Sequence, residues 1–291
     1  MYHLDSVTGT FVNRNHFSGY MEMVIPLAIG LAIAGINLPS LMESRWKDRL
    51  LRLSEKGLST SLLISLGIVV MAVAVIFSHS RSGLFLLVFS FILFFGLTII
   101  FFGKNDHQKK GTRNFITAVL IVIILISLYV GIDTTIERFA LDKIMDEGRL
   151  TYWTYTVGIF ADYPLLGTGL GTFPSLYPDK EGADILIRLF HAHNDYLEYL
   201  SELGIVGMGL LLGGILYLLI KSFLVWKERR HPELKSLGLG GIVAVICILL
   251  HSLTDFNLQI PANMLLFSVV LSLTVVVVFY KRRDAGNGNE R

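Results

Sequence analysis

The chain has 291 residues, of which 53% are hydrophobic and only 16% charged, and its mean hydropathy is +0.62. That composition excludes an ordinary soluble domain, and the apolar residues fall in continuous runs near the roughly 20 residues a helix needs to cross a bilayer. The runs do not alternate with polar residues as barrel strands do, so a closed β-barrel is excluded too. The net charge of +2 says little; its distribution says more.

Seven runs read as transmembrane helices: 21–38, 60–77, 84–102, 115–132, 204–220, 237–253 and 264–280. The fold class is therefore all-α, a polytopic membrane bundle of about seven helices with one long extramembrane helical loop. Residues 1–132 hold the first four helices, 133–203 the loop, 204–280 the last three helices, and 281–291 a polar tail. Basic residues gather after the first, third, fifth and seventh runs: Arg45 to Lys56, Lys104 to Arg113, Lys221 to Lys235, and Lys281 to Arg283. If the helices alternate, these segments share one side, which the positive-inside rule makes cytoplasmic. They are solvated faces near anionic headgroups and require no nucleic-acid partner. The polar residues 1–18, the 78–83 turn, the 133–203 loop and the 255–263 turn then lie outside. With no signal-peptide order ahead of it, the polar start leads to the expectation that further helices precede it. Cys247 is the single cysteine and reads as a small buried apolar residue. Gly209 and Gly213 have the spacing of small residues that pack helices together.

The richest segment for chemistry is His191-Ala192-His193-Asn194-Asp195-Tyr196-Leu197-Glu198, at the mouth of the fifth run. Charge in hydrocarbon costs about 2.5–3.5 kcal/mol on insertion scales, so such groups face protein cavities and often work there. On a helix, His191, Asp195 and Glu198 would share a face, with His193 beside Tyr196 and Leu197. A metal site of His191, His193 and Asp195 lacks a second ligand cluster, whereas a general base needs only one histidine at a polar mouth. Arg81, in the Ser80-Arg81-Ser82-Gly83 turn, and Arg149, before an aromatic stretch, offer forked donors suited to phosphate, with Arg14 a third candidate. The competing reading is a structural histidine and snorkelling arginines. Gly167, Gly169 and Gly171 match no nucleotide-loop spacing. His251 and Asp255 can pair structurally, and no Asp-x-Asp pair occurs to serve a metal-dependent sugar transferase.

Together these pieces resemble the O-antigen ligase and polymerase superfamily of bacterial membrane glycosyltransferases. His193-Asn194, nine residues, then Gly204-Ile205-Val206-Gly207 resembles the ligases' histidine motif. Asn13-Arg14-Asn15-His16-Phe17, Ser80-Arg81-Ser82-Gly83, Arg149 before Trp153, and Pro164-Leu165-Leu166-Gly167-Thr168-Gly169 resemble the family's other landmarks, in order. Members usually carry more helices before the Asn13 region, so the chain looks like their C-terminal two-thirds.

The resemblance implies transfer of a glycan from an undecaprenyl-pyrophosphate carrier to an acceptor hydroxyl, on the outer face of the bacterial inner membrane. No metal, nucleotide or other cofactor is implied. Catalytic roles carry over to His193 as base and to Arg81 and Arg149 as pyrophosphate ligands; substrate binding carries over to Arg14, His191, Asn194 and Trp153. The acceptor is a lipid A–core sugar, another glycan repeat unit or a protein hydroxyl, which separates ligase from polymerase and from protein glycosylation. A transporter, or a non-catalytic scaffold, is the alternative from another class.

Overall fold

The computed structural model describes residues 6–35, 56–102, 149–181 and 190–280, with isolated positions between 114 and 125. Most of the fourth apolar run, the first loop's basic residues before Lys56, all of 133–148 and 182–189, and the 281–291 tail lie outside these. Among the described residues the chain is helical, without strands: α1 (Arg14–Gly35), α2 (Lys56–Phe77), α3 (Arg81–Phe101), α4 (Arg149–Asp162), α5 (Phe173–Glu181), α6 (Asp195–Lys227), α7 (Pro232–His251) and α8 (Pro261–Phe279), with a 3₁₀ turn at Asn257–Gln259. Five of these (α1, α3, α6, α7 and α8) are long and apolar enough to cross a membrane, and α2 holds a shorter apolar stretch, Leu62–Phe77. The protein is a helical membrane bundle.

Burial separates centre from periphery. The apolar window of α7 is 78% buried and that of α1 61%, against 6% for α6. Lipid is as apolar as leucine, so van der Waals fit holds such helices together, and close backbone approach matters. At the α1–α7 crossing a Cβ on Gly30 would sit 2.5 Å from the Ser236 carbonyl oxygen, and one on Gly240 2.5 Å from that of Pro26. These are the packing glycines. Gly209 and Gly213, expected in that role, are exposed, and a Cβ on either would meet nothing within 4 Å among the described residues.

Helix α1 begins seven residues before the apolar run expected at position 21. Its first turns are polar yet buried, because His16, Ser18 and Glu22 face protein and not lipid. Hydropathy sees only side chains that lipid would accept, and misses a start of this kind.

Helix α6 is broken. Gly204 has φ 64° and ψ −176°, which splits the element into 195–203 and a span of 205–227. The loop after α4 fills the break. Ile205 and Val206 donate backbone N–H to the carbonyls of Pro164 (2.9 Å) and Leu165 (3.2 Å), while Thr168 and Gly169 donate to those of Ser201 (3.1 Å) and Glu202 (2.8 Å). The two backbones come so close that a Cβ on Gly204 would lie 2.4 Å from Leu165 O, and one on Gly167 2.3 Å from Glu202 O. Glycine is required at both positions by contact and by positive φ.

Candidate functional site

The polar groups converge on the loop between α7 and α8. Asp255 there is fully buried and ties three parts of the chain together. It accepts from Asn15 Nδ2 at 2.6 Å and pairs with His193 Nδ1 at 3.2 Å; His16 Nε2 lies 3.9 Å from the same oxygen as His193. Burial alone would raise the Asp255 pKa. The His193 hydrogen bond and the positive potential of His251, His193 and His16 outweigh it, holding the carboxyl well below the usual range. Sequence spacing pointed to His251 as its partner. Instead, the His251 ring turns to Glu22 in α1 (Nδ1 to Oε2, 3.0 Å), leaving only its backbone carbonyl to accept from Asp255 N–H.

A second pair lies beside the first. Glu198, also buried, meets His191 Nδ1 with Oε1 at 2.8 Å and accepts the Ala192 N–H with Oε2 at 2.7 Å. His191 thus pairs with Glu198 and not with Asp195, because the helix begins at Asp195, after the extended cap residue Asn194, and both histidines precede it. His193 itself has φ 53°, which aims its ring toward Asp255 and away from Tyr196 and Leu197. Both histidines present Nδ1 to a carboxylate, which leaves Nε2 as the nitrogen able to take up a proton. Phe256 packs between them, its ring 4.2 Å from that of His191 and 4.8 Å from that of His193, while Tyr152 of α4 stacks on His193 at 6.3 Å.

The loop is held from both sides. Asn194 caps α6, accepting from Leu197 N–H at 3.1 Å, and donates to Leu253 O at 3.0 Å. Its amide is engaged at both ends, so it positions His193. Asp195 accepts from Leu258 N–H at 3.0 Å, and its own N–H donates to Ser252 O at 2.9 Å. An aromatic cluster of Phe173 and Tyr177 with Tyr152 and Tyr155 closes over Ala192.

Arg14 and Arg81 each occupy the first position of a helix, α1 and α3, and neither helix has an acidic residue in its first turn; Arg149 is the first described residue of α4. The structure brings both of these starts to Asp255. Asn15, next to Arg14, bonds it directly; Ser82, next to Arg81, bonds Thr254 at 3.0 Å. Arg149 lies one turn before Tyr152, which stacks on His193. Trp153 follows, half-buried, its indole Nε1 unpartnered among the described residues. Arg14 and Arg81 thus stand at the positive dipole ends of α1 and α3, beside the Asp255 loop.

Asp255, Glu198, Asn15, Tyr152 and Phe256 were not singled out for the site from sequence. Sequence spacing puts Glu198 on the face of His191, its partner here, and Asp255 beside His251, whose ring turns to Glu22 instead. Phe256 carries no local signal, and Asn15, though inside the Asn13–Phe17 landmark, gives no sign of its partner Asp255, since each acts through contacts across the fold.

A helical membrane bundle with buried carboxylate–histidine pairs under an arginine-bearing mouth defines a multi-pass membrane protein with a polar site at one surface. The family model described as O-antigen ligase matches residues 66–212, half of the chain. The chain belongs to that family, membrane glycosyltransferases of the O-antigen ligase and polymerase type. The matched span includes Arg81, Arg149 and His193; Arg14 and Asp255 fall outside it. No curated protein matches the chain.

Proposed function

We propose that this protein transfers a glycan from an undecaprenyl-pyrophosphate carrier to an acceptor hydroxyl at the extracytoplasmic face of the bacterial inner membrane. The observation that carries the reading is the His193–Asp255 pair at the arginine-bearing mouth. Asp255, ionised and buried, holds Nδ1–H and frees Nε2 to accept the acceptor's proton. The acceptor oxygen then bonds to the anomeric carbon from the face opposite the pyrophosphate. The carbon–oxygen bond to phosphate breaks with its electron pair leaving on the lipid pyrophosphate, and configuration inverts. Arg81 and Arg149 stabilise the charge that grows on the leaving group, with Arg14, His191 and Trp153 lining the substrate. Pyrophosphate is already a good leaving group, so two guanidinium groups can supply the charge without metal or nucleotide. Within 133–203, α4 and α5 form an extracytoplasmic roof between membrane parts 1–132 and 204–280, with 281–291 on the cytoplasmic side.

The orientation rests on charge. Lys227, Arg229, Arg230 and Lys235 lie at the end of the bundle away from His193. The family supports ligase and polymerase alike, and the chemistry is the same for a lipid A–core sugar, a growing glycan or a protein hydroxyl as acceptor. The test is transfer from a lipid-pyrophosphate glycan by the purified chain, with and without chelator, beside His193→Ala. Transfer that is indifferent to chelator and lost in the variant supports the reading. Wild-type-like transfer by His193→Ala removes the base.

A further inference from the structure

We infer that the loop 163–170 is a membrane-inserted element, seated among the acyl chains of the leaflet beside the site. Tyr163, Leu165, Leu166 and Leu170 are 51%, 65%, 76% and 67% exposed, an unusual concentration for a turn-rich segment. They continue directly onto Ile205 and Val206 of α6, themselves 58% and 49% exposed, through the backbone bonds at Pro164 and Leu165. That surface is already lipid-facing: the apolar window of α6 is only 6% buried.

Depth agrees. From the break to Lys227 the helix runs over 205–227, about 34 Å at 1.5 Å per residue, against a hydrocarbon core of about 30 Å. Lys221 and Lys227 bracket one boundary, so the other, about 20 residues back, falls between about 201 and about 207, which puts Ile205 and the loop bonded to it at the hydrocarbon edge.

Backbone chemistry explains why an irregular loop is tolerated there. A break in a spanning helix leaves N–H and C=O groups without partners, which hydrocarbon cannot satisfy. The loop supplies exactly those partners, two carbonyls to Ile205 and Val206 and two N–H groups to Ser201 and Glu202. Gly167 and Gly204 let the backbones approach closely enough for this exchange. The polar bonds face the helix and the leucines face outward.

The test is spin labelling in vesicles of phosphatidylethanolamine and phosphatidylglycerol, free of any polyprenyl carrier. Cys247→Ala removes the chain's only cysteine; since Cys247 is fully buried, the same labels can also be placed on the chain that keeps it. Labels go on Leu166→Cys and Leu170→Cys, with Leu210→Cys on the lipid face of α6 and Glu228→Cys beyond its end as references. The expected result is collision with oxygen favoured over a water-soluble nickel chelate at 166 and 170, as at 210 and several-fold more than at 228. Ready access of the nickel chelate, as at 228, overturns the proposal. Low access to both reagents with an immobilised label would show a covering by protein, another segment or a second copy, and overturns it equally. None of these readouts depends on transfer activity.

Discussion

The two ends of the bundle use the same basic side chains in opposite electrostatic settings. At the end holding Lys227, cations meet carbonyl-bearing helix termini. Arg229 Nε donates to Val278 O at 2.8 Å near the end of α8, and Lys235 Nζ donates to Lys227 O at 3.2 Å at the end of α6. Both contacts satisfy orphan carbonyls and complement the helix dipole. At the other end Arg14 and Arg81 stand at helix N-termini, where the dipole opposes a cation by about 0.3–1 kcal/mol each. One end is electrostatically relaxed by its own backbone. The other sets cations against its helix dipoles, and it holds the histidine–carboxylate pairs.

The largest test of that contrast is removal of the base. His193→Ala is expected to lower the transfer rate by about 10²–10⁴-fold, with the protein still inserted and folded. Asp255→Asn should cost on a similar scale, up to about 10⁴-fold, because an amide can favour the wrong imidazole tautomer. His191→Ala should be milder than His193→Ala in the same assay. If it is as severe, the His191–Glu198 pair, whose geometry is comparable, carries the proton instead.

Next come the arginines. Arg81→Ala and Arg149→Ala should each reduce transfer by about 10²–10³-fold, as removal of a charge-stabilising donor does elsewhere. Arg229→Ala should do the reverse, leaving transfer nearly intact while lowering stability in detergent melts by about 1–2 kcal/mol. Equal losses of transfer from both ends would break the comparison.

The smallest effect is on pH. The folded-state pKa of Asp255 is depressed, so its contribution to stability is present above the unfolded value of about 4 and is lost as pH falls below it. Wild type should therefore lose more melting temperature than Asp255→Asn between about pH 5 and about pH 3.

Much of the bundle was legible in the chain because lipid imposes a simple rule on composition: a run such as 264–280 has few physical options, and α8 spans Pro261–Phe279. The rule fails where polar residues are buried in protein at membrane depth. The first turns of α1 escaped it because Asn15 and Glu22 are satisfied by Asp255 and His251, 240 and 229 positions away. Gly209 and Gly213 have the packing spacing, yet among the described residues the close approach falls to Gly30 and Gly240, since spacing on one helix does not specify which face finds a neighbour.

Sequence by itself determined the class of protein, the helical membrane architecture and the family landmarks at His193, Arg81 and Arg149, because composition and short motifs are local properties. Only the tertiary structure decided who pairs with whom. Asp255 went to His193 and not to His251, Glu198 to His191, and the Pro164–Gly169 loop into the break at Gly204. The first joins residues 62 positions apart, whereas His191 and Glu198 are only seven apart and needed the helix start at Asp195 to set their geometry. A buried carboxylate takes whichever donor the fold brings within hydrogen-bond reach, and the sequence order does not record that distance.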